Sequence, residues 1–163
     1  MNQRFFKKGD FVSIYTNTDD CFGLGYVLIT DESHIILQTL TPSADIDGLT
    51  LYRLDDIVKI EHNTTYQNKI ARKLAKKQAT LTKYELPQSD LILWMFQESQ
   101  KQNLVLQVEL QRSGHCDVQG YVRSWDNEVC VIQQIDARGR SDGEALFLIS
   151  DISSIRLCEN HAK

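Results

Sequence analysis

The chain has 163 residues, of which 42% are hydrophobic and 25% charged, and a net charge of −4, values ordinary for a soluble globular protein with room for one large domain or two small ones. That composition argues against disorder, and no run approaches the roughly 20 apolar residues of a bilayer span, so no membrane association is expected. The segment Met1–Lys8 carries basic residues without an apolar stretch or small-residue cleavage site, which points to a cytoplasmic protein.

In chain order, Phe11–Tyr15 reads as a strand. A polar turn over Thr16–Asp20 and strands near Phe22–Thr30 and His34–Leu40 follow, the last two joined by an Asp-Glu-Ser corner. Pro42 and the Asp47-Gly48 pair mark a loop before Leu49–Arg53, and Leu54-Asp55-Asp56 forms one tight turn leading into Ile57–Glu61. The apolar period then lengthens from two to about 3.6: Tyr66, Ile70 and Leu74 are spaced by four and predict a helix near 65–79. Its other face is basic, with Lys69, Arg72, Lys73, Lys76 and Lys77, and Lys83 just beyond. A second helix over 89–101 begins at Ser89, a suitable N-cap, with Asp90 in its first turn. It carries Leu91, Ile92, Leu93, Trp94, Met95 and Phe96, apolar on nearly every side, and so needs either burial between neighbours or a partner.

Five further strands follow, near Val105–Leu110, Val118–Ser124, Glu128–Gln134, Glu144–Leu148 and Ile152–Leu157, with a polar loop over 138–143. They repeat the first five. Gly25-Tyr26-Val27 recurs as Gly120-Tyr121-Val122, and the same offset of 95 pairs Gln38 with Gln133, Asp47-Gly48 with Asp142-Gly143, Leu51 with Leu146, Asp56-Ile57 with Asp151-Ile152, Ile60 with Ile155 and Cys21 with Cys116. This is the signature of an internal duplication in which apolar and turn positions, rather than reactive groups, are held in common. The expected boundaries are a small β-barrel over 1–62, a helical connector over 63–103 and a second barrel over 104–163.

Five short bent strands with one helical turn before the last resemble the plan of Sm-like and SH3-like barrels. Gly25, Val27, Asp31 and Leu37 sit where the first Sm signature has its glycine, apolar pair, Asp corner and aliphatic strand, and Gly120, Val122, Trp125, Asp126 and Ile132 do so in the second copy. The Sm RNA pocket also uses an Asn after the corner and an Arg-Gly on strand four. Those places hold Ile35 or His34 and Cys130 or Val129, then Leu54-Asp55-Asp56 and Ile149-Ser150-Asp151, so no nucleotide site is carried over. The tandem with its helical insert is also similar to uncharacterised proteins of low-GC Gram-positive bacteria. The resulting expectation is a mainly β fold with a helical connector, made of two tandem five-stranded Sm-like or SH3-like barrels.

Candidate chemistry is sparse. His34, His62, His115 and His161 are dispersed, and His115-Cys116 alone puts two ligand types side by side, on residues that point to opposite faces of a strand. Cys21, Cys116, Cys130 and Cys158 show no Cys-x-x-Cys pairing and read as structural thiols. Asp45, Asp47 and Asp142 before glycines fit turns better than a calcium loop, which needs a terminal Glu. No phosphate-cradling loop precedes a helix and no serine nucleophile stands by a base, so neither catalytic residues, a metal nor a cofactor is assigned. Three functions are therefore expected in order. The first is a non-enzymatic binding or scaffold module associating with a protein partner or with itself, with Leu91, Ile92, Trp94, Met95 and Phe96 as association surface. The second is an RNA-binding protein contacting phosphates through Lys69, Arg72, Lys73, Lys76 and Lys77 and through Arg138 and Arg140, with Tyr26, Tyr121 and Trp125 as stacking candidates. The third is small-ligand binding at the junction of the two repeats.

Overall fold

Segments that alternate apolar and polar residues pair into one antiparallel sheet. In a computed structural model that describes residues 1–18 and 22–159, the elements are β1 (Phe11–Thr16), β2 (Gly23–Thr30), β3 (His34–Leu40), β4 (Ile46–Arg53), β5 (Ile57–Glu61), α1 (Thr65–Lys77), α2 (Leu91–Gln102), β6 (Val105–Leu110), β7 (Val118–Trp125), β8 (Val129–Ile135), β9 (Ser141–Leu148) and β10 (Ile152–Cys158). Single 3₁₀ turns precede β5 and β10, at Leu54–Asp56 and Ile149–Asp151. Cys21 and His161 lie outside the described residues. Among the described residues the fold is mainly β, with two α-helices between two runs of five strands.

The strand order is β5-β1-β2-β3-β4-β10-β6-β7-β8-β9, so the same five-strand order occurs twice and the two runs meet where β4 pairs with β10. Registers coincide as well. Gly25 faces Thr39 and Val27 faces Leu37, while Gly120 faces Gln134 and Val122 faces Ile132. In β1 and β6 the offset is 94 rather than 95, because Ile14 faces Ile60 and Val108 faces Ile155 (108 − 14 = 94; 155 − 60 = 95).

The corners match too. The Asp31 carboxylate accepts the Ser33 and His34 amides at 2.8 and 2.6 Å, and Asp126 accepts those of Glu128 and Val129, both at 2.8 Å. These are Asx turns, and the two amide donors hold the Asp126 carboxyl below the usual carboxylate range.

β3 is apolar on both faces because it serves two cores. Ile35 and Leu37 join Val12, Ile14, Val27, Tyr52, Leu54 and Ile57, whereas Ile36 joins a larger cluster built on α2. The first helix seats Ile70 and Leu74 against Leu24, Leu40 and Ala44. A reciprocal cap starts α1: Thr64 Oγ accepts the Gln67 amide and Gln67 Oε1 accepts the Thr64 amide, both at 3.0 Å.

Several boundaries differ from the sequence reading, each for a local reason. α1 stops at Lys77 because Gln78 turns left-handed, with φ 51°, and closes the helix. α2 begins at Leu91, capped by Asp90 rather than Ser89. Asp90 is itself left-handed (φ 55°), a conformation Asp tolerates, and its carboxylate accepts the Leu93 amide at 3.2 Å. Asp47-Gly48 and Asp142-Gly143, read as loops, lie inside β4 and β9, where the glycines accompany a register irregularity against β3 and β8.

Gly48 has φ +82°, and a Cβ there would stand 1.9 Å from the Leu157 carbonyl oxygen of β10; Gly143 has φ +76° and nothing within 4 Å. Gly143→Ala is expected to cost about 1–2 kcal/mol, the strain of a left-handed L-residue alone. Gly48→Ala adds a backbone clash and should cost clearly more or prevent folding, as read from urea denaturation midpoints.

Candidate functional site

The strand contact between β4 and β10 organises everything around it. Tyr52, Leu51, Thr50 and Leu49 face Ser154, Ile155, Arg156 and Leu157. Leu49, Leu51, Ile155 and Leu157 are completely buried and share one cluster with Leu106 and Val108 of β6 and with the apolar side of α2. Two ion pairs clamp the contact at its polar ends. Arg156 meets Asp47, and Arg112 Nε lies 2.6 Å from Oδ1 of the buried Asp56. Tyr84, in the irregular segment before α2, donates to Glu159 just past β10, and its hydroxyl pKa is raised by burial first and by that carboxylate second.

Beside this contact lies a cavity of about 370 Å³. Leu24, Leu40 and Val108 supply apolar wall, while Asp47, Glu109, His115 and Arg156 bring charge and imidazole to it. Its charged groups and its imidazole have partners within the chain: Arg156 holds Asp47, Glu109 accepts the Gly114 amide at 2.9 Å, and His115 Nδ1 sits 3.0 Å from Asp117 Oδ1. Sequence reasoning ranked small-ligand binding at the junction of the repeats third and assigned no residue to it; as site residues, Asp47 and His115 entered only as metal candidates. The lining residues come from β2, β3, β4, β6, β10 and the β6–β7 loop, and no short motif joins them.

The residues singled out from sequence scatter over the molecule. Leu91, Ile92, Trp94, Met95 and Phe96 are all buried in the core of this chain, with Trp94 Nε1 donating to the Glu85 carbonyl at 3.1 Å. Association through these five side chains therefore requires α2 to leave its seat. Lys69, Arg72, Lys73, Lys76 and Lys77 are exposed along α1, and Lys77 bonds Asp45 at 2.8 Å. Among the described residues no carboxylate lies within 4 Å of Lys69, Arg72, Lys73 or Lys76.

Arg138 and Arg140 belong to the β8–β9 loop, where Arg140 is held by Asp136 at 2.9 Å; α1 packs on β1 in the other half of the sheet. Tyr26 stacks on Phe11 with centroids 4.6 Å apart, and Trp125 tilts against Phe96 at 5.8 Å, so both rings have intramolecular partners.

Among the described residues no three His, Cys, Asp or Glu side chains are placed to hold a metal ion. His34 is half-buried, 3.7 Å from Asp31, and its pKa is lowered because burial outweighs that carboxylate. Cys130 is fully buried in the core, and burial pushes its thiol up to about 12.

The two strands at the ends of the sheet have one neighbour each. β9 exposes Leu146 (69%) and Leu148 (48%), and β5 exposes Val58 (59%). Leu146 is the counterpart of the fully buried Leu51 (51 + 95 = 146), so the same position is core at the internal contact and surface at the sheet end. The sequence showed the pairing of Leu51 with Leu146 but not their opposite environments: Leu51 is closed over by β10, β6 and α2, and Leu146 is not. Comparison with protein-family models, with curated proteins and with solved structures finds no match.

Leu51→Ala should destabilise the fold by about 2–5 kcal/mol, as expected for a sealed core leucine, and Leu146→Ala should change it by less than about 0.5 kcal/mol. Chemical denaturation of the two variants reads both. Timed alkylation followed by mass spectrometry should modify the exposed Cys116 before Cys130, which reacts only on unfolding.

Proposed function

We propose that this chain is a non-enzymatic association module made of two tandem, duplicated, Sm-like or SH3-like five-stranded barrels, and that it binds protein through the ends of its sheet. The repeated strand order, the matched registers and the paired Asx corners support the duplication. The observation that carries the association reading is the contrast between Leu51 and Leu146. One copy of this edge is sealed by a strand, and the other presents Leu146 and Leu148 to solvent on a strand with an open side. Open strand edges with apolar side chains are templates for strand addition. A photo-crosslinking amino acid at position 146, irradiated in living cells, should give discrete protein adducts, and the same group at exposed Lys73 should not; equal yields at both positions would remove the edge as the contact.

A second reading, RNA binding, is favoured by the exposed row Lys69, Arg72, Lys73 and Lys76 on one helix. Phosphate contacts of this kind release counterions, so affinity falls steeply with salt. Fluorescence anisotropy with a short mixed single-stranded RNA distinguishes the two. Association through the sheet ends predicts binding confined to low salt, and an RNA-binding protein predicts binding at physiological salt that is abolished when Lys69, Arg72, Lys73, Lys76 and Lys77 are changed to Glu.

A further inference from the structure

We infer that the occupant of the open β9 edge is the β5 edge of a second copy of this chain, joined head to tail in the register of the internal β4–β10 contact. This rests on the association reading and adds to it the partner and the geometry. The molecule contains its own template. β10 is the counterpart of β5 and β4 the counterpart of β9, so the internal contact is one repeat's fourth strand against the other repeat's fifth. The two strands left over are one fourth strand and one fifth strand, one at each end.

Transferring the register by 95 places Leu146 opposite Ile60 and Phe147 opposite Lys59, as Leu51 lies opposite Ile155 and Tyr52 opposite Ser154. The steric shape is also in place. Gly48 keeps a positive φ where the Leu157 carbonyl presses on it, and Gly143 keeps the same backbone with open space where that carbonyl would come. Apolar surface is exposed at both ends. Leu146 and Leu148 are on β9, Val58 is on β5, and Phe5 (51% exposed) stands in the turn whose next residue, Phe6, packs with Leu54 and Ile57. A contact between two different edges is heterologous, so each added copy leaves one fresh edge of each kind.

Charge sets the strength. At the internal contact Arg156 meets Asp47, and their counterparts are Glu61 and Asp142, two carboxylates. Asp142 is exposed, and Glu61 accepts the Tyr15 hydroxyl and lies 4.0 Å from Lys59. The intermolecular contact thus repeats the strand frame and one apolar pair of the internal one, Leu146 opposite Ile60, while Leu49 opposite Leu157 becomes Glu144 opposite His62 and the ion pair is lost. It is correspondingly weaker, and the mass of the particle depends on concentration.

Sedimentation velocity of the purified full chain between about 1 and 100 µM reads this, the range in which small interfaces associate. The wild type should grow from monomer with concentration. Leu146→Glu and Val58→Glu, both at exposed positions and checked for an unchanged melting curve, should each be monomeric alone. Mixed together they should give a 1:1 dimer, because each retains the edge that the other lacks. Asp142→Arg, set against Glu61, should tighten self-association about 2- to 5-fold relative to wild type.

A wild type that stays monomeric throughout, a Val58→Glu protein that still dimerises (two β9 edges pairing with each other), or a mixture that stays monomeric would each overturn the proposal. If the purified chain is monomeric while position 146 still crosslinks to a different protein in cells, self-docking fails and the association reading survives. Loss of both results removes both.

Discussion

The constraint on which the rest of the structure depends is the approach of the Leu157 carbonyl to Gly48. A side chain at that position would meet the carbonyl oxygen at 1.9 Å, and only a backbone without Cβ lets β10 lie against β4 there. Once the two strands are paired, Leu49, Leu51, Ile155 and Leu157 face inward together, α2 has an apolar floor to sit on, and Arg156 is brought to Asp47. Without that approach Leu49 and Leu51 on β4 and Ile155 and Leu157 on β10 would lose the strand that lies opposite them. The fully buried core of the second half would lose the three first-half residues, Ile36, Leu49 and Leu51, that complete it.

Much of this was legible in the chain before any coordinate. Strand and helix identities followed from the change of period at Thr65 and from turn residues, and the recurrence of Gly25-Tyr26-Val27 as Gly120-Tyr121-Val122 anticipated the shared register of β2–β3 and β7–β8. What stayed hidden depended on long-range pairing. Asp47-Gly48 has the composition of a loop, and its place within β4 shows only in the pairing of that strand with β3. Ser89 and Asp90 are both good N-caps in isolation; the choice of Asp90 reflects its left-handed backbone, which sequence propensity does not report. The five apolar residues of α2 announced a need for burial without saying whether this chain or another would meet it.

Function was less readable than fold for the same physical reason. Charge patterning identified the basic face of α1, since spacing on one helix is a local property, and it stands exposed. The cavity at the strand contact draws its lining from five strands and the β6–β7 loop, and Leu51 is buried where β10, β6 and α2 close over it while Leu146 at the sheet end is exposed. Leu51 and Leu146 occupy corresponding places in the two runs of five strands, and the assembled sheet gives them opposite environments.

The pairing of Leu49 with Leu157 joins residues 108 positions apart (157 − 49 = 108), which has a bearing on how the chain is made. At about 5–20 residues per second of synthesis, β4 waits some seconds to tens of seconds with its edge unsatisfied before β10 leaves the ribosome. During that interval Leu49 and Leu51 lack the Leu157 and Ile155 that lie opposite them in the finished protein. An unpaired strand edge of this kind is a template for other strands, so the late arrival of β10 lengthens the time in which β4 is open to a wrong partner.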